Sequence, residues 1–229
     1  MTRITEQLAA LERRIRAAAD RAGRDPQGVR ILAVSKRQPS SAIREAQQAG
    51  LSRFGENYVQ EALKKIPEIA ADAAPAEWHF IGAIQSNKAR MIAENFDWVH
   101  TVCDARIAKR LSARRPDTLP DLQICIQLRP DGGSQRAGID ADEMPALAEL
   151  IEELPRVRLR GLMIMPLPDR TEADSRAEFC RTRALLDELH ARGHRSDTLS
   201  MGMSADLEAA IMEGSTLVRI GTDLFGPRT

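Results

Sequence analysis

Val29-Arg30-Ile31-Leu32-Ala33-Val34-Ser35-Lys36 is a short, mostly aliphatic run closed by an amine. It reads as a buried strand with Lys36 at its carboxyl end. Upstream, Ile4, Leu8, Leu11 and Ile15 recur at spacings of four, three and four, which predicts an amphipathic helix ending near Gly23, before Asp25-Pro26. A helix therefore precedes the first strand.

Downstream the alternation repeats. Arg53-Phe54-Gly55, Trp78 to Gly82, Trp98 to Val102, Leu122 to Leu128, Leu159 to Met165, Thr198 to Gly202 and Leu217 to Gly221 read as strands, making eight with the first. Between them Ser41 to Ala49, Tyr58 to Ile69, Asn87 to Asn95, Ala105 to Arg114, Met144 to Glu153, Ala173 to Ala191 and Ala205 to Glu213 carry helical patterns. Strands alternating with helices imply an α/β fold with a parallel sheet, and eight units closing on themselves imply a (β/α)8 TIM barrel with an extra N-terminal helix. An open doubly wound sheet is the alternative, and the short Arg53-Phe54-Gly55 also reads as a loop. No Pro/Ser/Gly-rich linker, composition shift or repeat divides the chain, so residues 1–229 are expected to form one domain.

Composition removes several function classes. Lys plus Arg and Asp plus Glu number 33 each, so no global field draws in a polyanion or a membrane surface. With aromatics at 3%, platforms for base stacking are scarce, and no nucleic-acid partner is expected. Cys103, Cys125 and Cys180 lie far apart with no Cys-x-x-Cys pair, which argues against a zinc centre or a disulfide framework. No apolar stretch is long enough for a signal core or a membrane span. A cytoplasmic protein, monomeric for want of aromatic surface candidates, is expected.

Reactive groups of such a barrel gather at the carboxyl ends of the strands, and phosphate sites commonly use the loops after the seventh and eighth. Those ends read Ser200-Met201-Gly202-Met203-Ser204 and Arg219-Ile220-Gly221-Thr222. Ser200 and Ser204 offer hydroxyls, Gly202 allows close backbone approach, Ser204 could cap the following helix, and Gly221 and Thr222 add donors. The plainer reading of Ser204-Ala205-Asp206-Leu207-Glu208 is an ordinary helix start with acidic first-turn residues. Lys36 also has a plain reading, a solvated surface amine. Arg219 sits in an apolar strand, where it needs either a carboxylate or a ligand as partner. Asn57 could cap a helix or reach a ring, and strand alternation predicts that His79 points into the barrel.

Barrel closure sets the first strand beside the eighth, bringing an amine to a phosphate cradle. An aldehyde cofactor bearing a phosphate needs both, the amine for a Schiff base and the cradle to fix the ring. Pyridoxal 5′-phosphate is that molecule. A guanidinium at its pyridine nitrogen would discourage protonation there and weaken the ring as an electron sink.

Several ordered stretches resemble the pyridoxal phosphate homeostasis protein family, also called the YggS/PROSC family, which is related to the N-terminal barrel of alanine racemase. They are Ala33-Val34-Ser35-Lys36, Phe54-Gly55-Glu56-Asn57-Tyr58-Val59-Gln60-Glu61, Trp78-His79-Phe80-Ile81-Gly82, Gln85-Ser86-Asn87-Lys88, Arg160-Gly161-Leu162-Met163, Leu199-Ser200-Met201-Gly202-Met203-Ser204 and Val218-Arg219-Ile220-Gly221-Thr222-Asp223-Leu224-Phe225-Gly226. The resemblance implies that Lys36 carries the Schiff base, that Ser200, Ser204, Gly221 and Thr222 surround the phosphate, and that Arg219 approaches the pyridine nitrogen. It places Asn57, Met165 and Met201 nearby. Two departures stand out: Gly82-Ala83 where the family has Gly-Pro, and Arg136 for a lysine in the loop Arg129 to Gly138.

The chain ends shortly after its last strand, so no second domain of the racemase kind is expected. A racemase needs acid/base groups on both faces of the substrate carbon, and Lys36 supplies one. The resulting expectation is a non-catalytic pyridoxal phosphate protein in vitamin B6 and amino-acid homeostasis, handing its cofactor to small amines or to apo forms of enzymes that use it. A weak racemase or lyase is the alternative. A barrel binding some other phosphorylated ligand, or serving as a scaffold, with Lys36 as a mere cation, is a third.

Overall fold

A computed structural model describes residues 2–71, 76–131, 133 and 135–226. The chain opens with α1 (Arg3–Arg21), whose N-cap Thr2 accepts from the amide of Thr5 and whose apolar stripe of Ile4, Leu8, Leu11 and Ile15 is buried. Strands and helices then alternate: β1 (Arg30–Val34), α2 (Ser40–Gln48), β2 (Arg53–Glu56), α3 (Val59–Ala70), β3 (Glu77–Phe80), α4 (Ala89–Asn95), β4 (Trp98–Val102) and α5 (Ala105–Arg114). The second half adds β5 (Leu122–Gln127), α6 (Met144–Glu153), β6 (Val157–Met163), α7 (Glu172–Ala191), β7 (Thr198–Ser200), α8 (Leu207–Met212), β8 (Leu217–Ile220) and α9 (Thr222–Phe225).

The strands pair in parallel in chain order and close into a barrel, β8 returning to β1. This excludes the open doubly wound sheet. Arg53-Phe54-Gly55 belongs to β2 and pairs with both β1 and β3, so it is sheet and not loop. Closure fixes the register that the site needs: Leu32 lies opposite Arg219 and Ala33 opposite Ile220. Continuing that register carries Lys36 toward the turn at Gly221 and Thr222.

Two cores result. The larger fills the layer between sheet and helices, where residues such as Phe54, Val99 and Ile124 meet Ile43, Ile92, Leu111 and Phe179. Each such side chain removed from water contributes about 1.5–3 kcal/mol. Inside the barrel a separate small cluster of Trp98, Cys125 and Met163 packs among polar side chains. Cys125 is buried there, and burial pushes its thiol up to about 12. The described cysteines are all reduced. No described helix is long and apolar enough to cross a membrane.

Candidate functional site

A cavity of about 250 Å³ opens between the carboxyl ends of β1 and β8. Lys36 and Val34 come from the β1 end, Arg219, Gly221 and Thr222 from β8 and the turn beyond it, and Ser204 and Ala205 from the loop after β7. Asn57, Ile81, Met163, Met165 and Met203 complete the ring-sized space. Met165 and Met203 are among the few exposed large apolar side chains, at the rim.

Lys36 itself is half-buried, and its neighbours on both sides are pinned. The Ser35 hydroxyl donates to Oε1 of Glu56 at 2.7 Å, and Lys65 Nζ donates to the Ser35 carbonyl at 2.8 Å and to Glu56 at 2.9 Å. Arg37 takes a left-handed φ of 61°, and its amide donates to Glu61. That conformation is costly for a long side chain and persists where surroundings impose it. Burial raises the pKa of Glu56, with Lys65 and Ser35 pulling the other way.

Behind the opposite wall the loop after β7 packs tightly on α8. Gly202 adopts φ +97°, and a Cβ there would stand 2.6 Å from that of Ala210. Ser204 does not cap α8, which begins at Leu207 behind Asp206. Asp206 instead accepts from the Met203 amide, folding the loop back so that Ser204 faces the cavity. Arg14 of α1 ties both cavity loops together: it donates to Glu208, to the Ser204 carbonyl at 2.9 Å and to Asp223. The first amides of α9, at Thr222 and Asp223, have no intrahelical partner and suit an anion.

Arg219 is 4% exposed and meets no carboxylate among the described residues. Its Nη1 donates to the carbonyl and hydroxyl of Ser200, and its Nη2 to the carbonyl of Ile164 at 2.9 Å. Burial lowers its pKa to about 10, which leaves it charged at neutral pH. The structural pairing with a carboxylate foreseen as one option is absent.

Of the residues singled out in the sequence, Lys36, Asn57, Met165, Ser204, Arg219, Gly221 and Thr222 share one cavity. Ser200 and Met201 do not line it. The Ser200 hydroxyl lies inside the barrel, 2.8 Å from Nδ1 of His100 as well as from Arg219, because alternation along β7 turns it inward. Met201 is fully buried in the sheet–helix core. Asn57 does not cap α3, whose N-cap is Tyr58, and its Oδ1 is buried without a partner. Beside this cavity lies a second one of about 860 Å³, sharing Met165, Met203 and Ala205 and lined also by Arg136. Gly132 and Ser134 of that loop lie outside the described residues.

Glu56, Lys65, Arg14 and His100 were not singled out in the sequence. A lysine interrupting the otherwise apolar buried face of α3 (Val59, Ala62, Lys65, Ile69) was the available signal for the first two. His100 shares the inward phase of Trp98 two positions earlier. Arg14 carries no such mark on a helix rich in arginine.

The sequence family described as the alanine racemase N-terminal domain matches residues 7–229. A pyridoxal phosphate homeostasis protein of Pseudomonas aeruginosa is 54% identical over all of this chain and 97% of its own length. One of Escherichia coli is 48% identical over all of this chain and 98% of its own. PipY of Synechococcus elongatus, solved with PLP bound, superposes with a TM-score of 0.85 at 38% identity, covering 98% of this chain and 100% of that one. Alanine racemase of Corynebacterium glutamicum, at 17% identity and TM-score 0.65, shares the fold over 95% of this chain and 61% of its own.

Proposed function

The chain belongs to the pyridoxal phosphate homeostasis proteins, built on the alanine racemase N-terminal domain, and on that premise we propose that it holds pyridoxal 5′-phosphate reversibly on Lys36. The observation that carries this reading is the meeting, in one cavity, of the Lys36 amine with Ser204, Gly221 and Thr222 across the β1–β8 seam. When bound, the cofactor supplies an aldehyde that condenses with an amine and leaves by exchange with another.

The residues present fit such a molecule. The cavity is smaller than the roughly 300–1,000 Å³ of drug-sized sites, in keeping with a single ring. Asn57 lines the cavity and keeps a buried Oδ1 without a partner, an acceptor that a ring substituent could engage. Ser204, Gly221, Thr222 and the amides of α9 would hold the phosphate, and Arg219, charged and without a carboxylate, would face the ring nitrogen. Ser200 would act one step back, through Arg219. Met165 would cover the ring, with Met201 behind it in the core.

Holding rather than turnover is the reading we favour. Lys36 and Arg219 are the ionisable side chains on the cavity wall among the described residues, and racemisation needs proton-transfer groups on two faces. Recipients would be small amines and apo enzymes that use the cofactor, with the chain acting as a cytoplasmic monomer and one domain over residues 1–229. Borohydride reduction in the presence of the cofactor, followed by peptide mass spectrometry, tests the attachment. Trapping on the Lys36 peptide is expected, and its loss, with that of the visible band, in Lys36→Ala. Wild type left unmodified, or modified elsewhere, overturns the reading. Deuterium wash-in at the α-carbon of added amino acids would reveal a racemase or lyase; none is expected.

A further inference from the structure

Interiors of barrels like this one are usually filled with branched aliphatic side chains, whereas here the strands send in two fully buried histidines, His79 and His100. Trp98 stacks on His79 with centroids 5.2 Å apart. His100 Nδ1 lies 2.8 Å from Ser200 Oγ, His100 Nε2 lies 2.8 Å from His79 Nδ1, and His79 Nε2 lies 2.8 Å from Glu77 Oε1. Since Arg219 Nη1 stands 2.8 Å from the same Ser200 oxygen, these contacts form an unbroken line. It runs from the wall of the Lys36 cavity to a carboxylate at the amino-end mouth of the barrel.

The two ends dictate where each hydrogen sits. A guanidinium only donates, so Ser200 Oγ accepts from Arg219 and has one hydrogen to give, which goes to Nδ1 of His100. His100 then carries its hydrogen on Nε2 and donates to Nδ1 of His79, and His79 donates from Nε2 to Glu77. Glu77 is half-buried, which favours its neutral form, but the bond from His79 and nearby Arg53 prevail and push its pKa down to about 2. It is therefore an acceptor only, and the polarity read from this end agrees with that read from the other. Reversing the line would set two acceptors, Nε2 of His79 and Oε1 of Glu77, against each other and take from the Ser200 hydroxyl hydrogen its acceptor on His100.

We propose that Ser200, His100 and His79 form a positioning relay of one polarity, through which the charge at the amino-end mouth sets how firmly the Arg219 guanidinium is held in the cofactor cavity. This rests on the reading of that cavity as a pyridoxal phosphate site. Aligned hydrogen bonds polarise and strengthen one another, so the carboxylate at the far end is felt along the line. The mouth is solvent-accessible, where a cavity of about 590 Å³ is lined by Glu77, Arg30, Arg53 and Arg160. Arg53 Nε is 3.1 Å from the same Glu77 oxygen that accepts from His79.

Two measurements test the relay, the first without cofactor. Imidazole ¹⁵N spectra of the apo protein should show neutral Nε2–H tautomers for both His79 and His100 between about pH 6 and 8. Glu77→Gln, which keeps the acceptor and removes the charge, should shift the His100 and Arg219 resonances although neither touches residue 77. An Nδ1–H tautomer at either histidine, or unmoved resonances, overturns the proposal. The second is a cycle of Glu77→Gln and Ser200→Ala read as pyridoxal phosphate affinity, with Ser200→Cys in place of alanine if that variant does not fold. Each single change should weaken binding between about twofold and thirtyfold, and the double no more than the worse single. Losses that simply multiply would reduce the relay to two local effects. A wild type that binds no cofactor would sink the cavity reading, while the apo spectra would still judge the relay.

Discussion

The Lys65 ammonium, buried in α3, sits 2.9 Å from the fully buried carboxylate of Glu56 and donates in the same geometry to the carbonyl of Ser35, the residue before Lys36. A lysine thus clamps the strand end that presents another lysine.

Removing one partner of such a pair strands a charge away from water. Lys65→Met should cost about 3–5 kcal/mol in urea unfolding, and Glu56→Ala less, because Lys65 keeps its ion pair with Glu61. The double change Glu56→Leu with Lys65→Met should recover most of that stability, because two apolar groups replace two charges. Cofactor retention should stay low in the double variant, since the Ser35 carbonyl and hydroxyl lose their partners. Full retention would show that the clamp does not shape the Lys36 loop.

Burial lowers the pKa of both His79 and His100 from the ordinary 6.5, His100 the further. The folded state thus keeps them neutral at pH values where the unfolded chain takes up protons. The stability they permit is complete above pH 6.5 and declines as pH falls through the depressed folded values. Below 6.5 the slope approaches about 1.4 kcal/mol per pH unit for each histidine. The raised pKa of Glu56 contributes in the opposite sense above 4.5, so the window is cleanest just below 6.5. Urea midpoints at pH 7.5 and 6, with about half the decline in His100→Asn, check it. A flat profile would mean that the folded barrel accepts those protons.

Gly82 passes so close to the chain that a Cβ would fall 2.0 Å from the carbonyl oxygen of Asn57. Backbone cannot yield there as a flexible side chain would. Gly82→Ala should destabilise by about 1–3 kcal/mol and displace Asn57 from the cavity wall, lowering pyridoxal phosphate affinity beyond any change in fold. Thermal melting with a parallel binding titration separates the two effects.

The barrel was legible because its strands and helices announce themselves by period, and the pairing of β1 with β8 follows from closing them. Lys36, Gly221 and Thr222 could be read for the same reason, since each ends a strand. Ser200 and Ser204 were harder to tell apart: the left-handed Gly202 between them breaks the alternation, so the facing of one says nothing of the other. The clamp, Arg14 and the histidine line stayed hidden because each joins groups remote in sequence, such as Arg14 with Asp223 and His100 with Ser200. Such partnerships exist only once the barrel has closed.

The β1–β8 seam also orders events during synthesis. The amine-bearing strand leaves the ribosome well before β8, the strand that completes its pocket. A nascent chain that lacks β8 thus has no place to capture the vitamer, and loading falls to a chain whose barrel has closed.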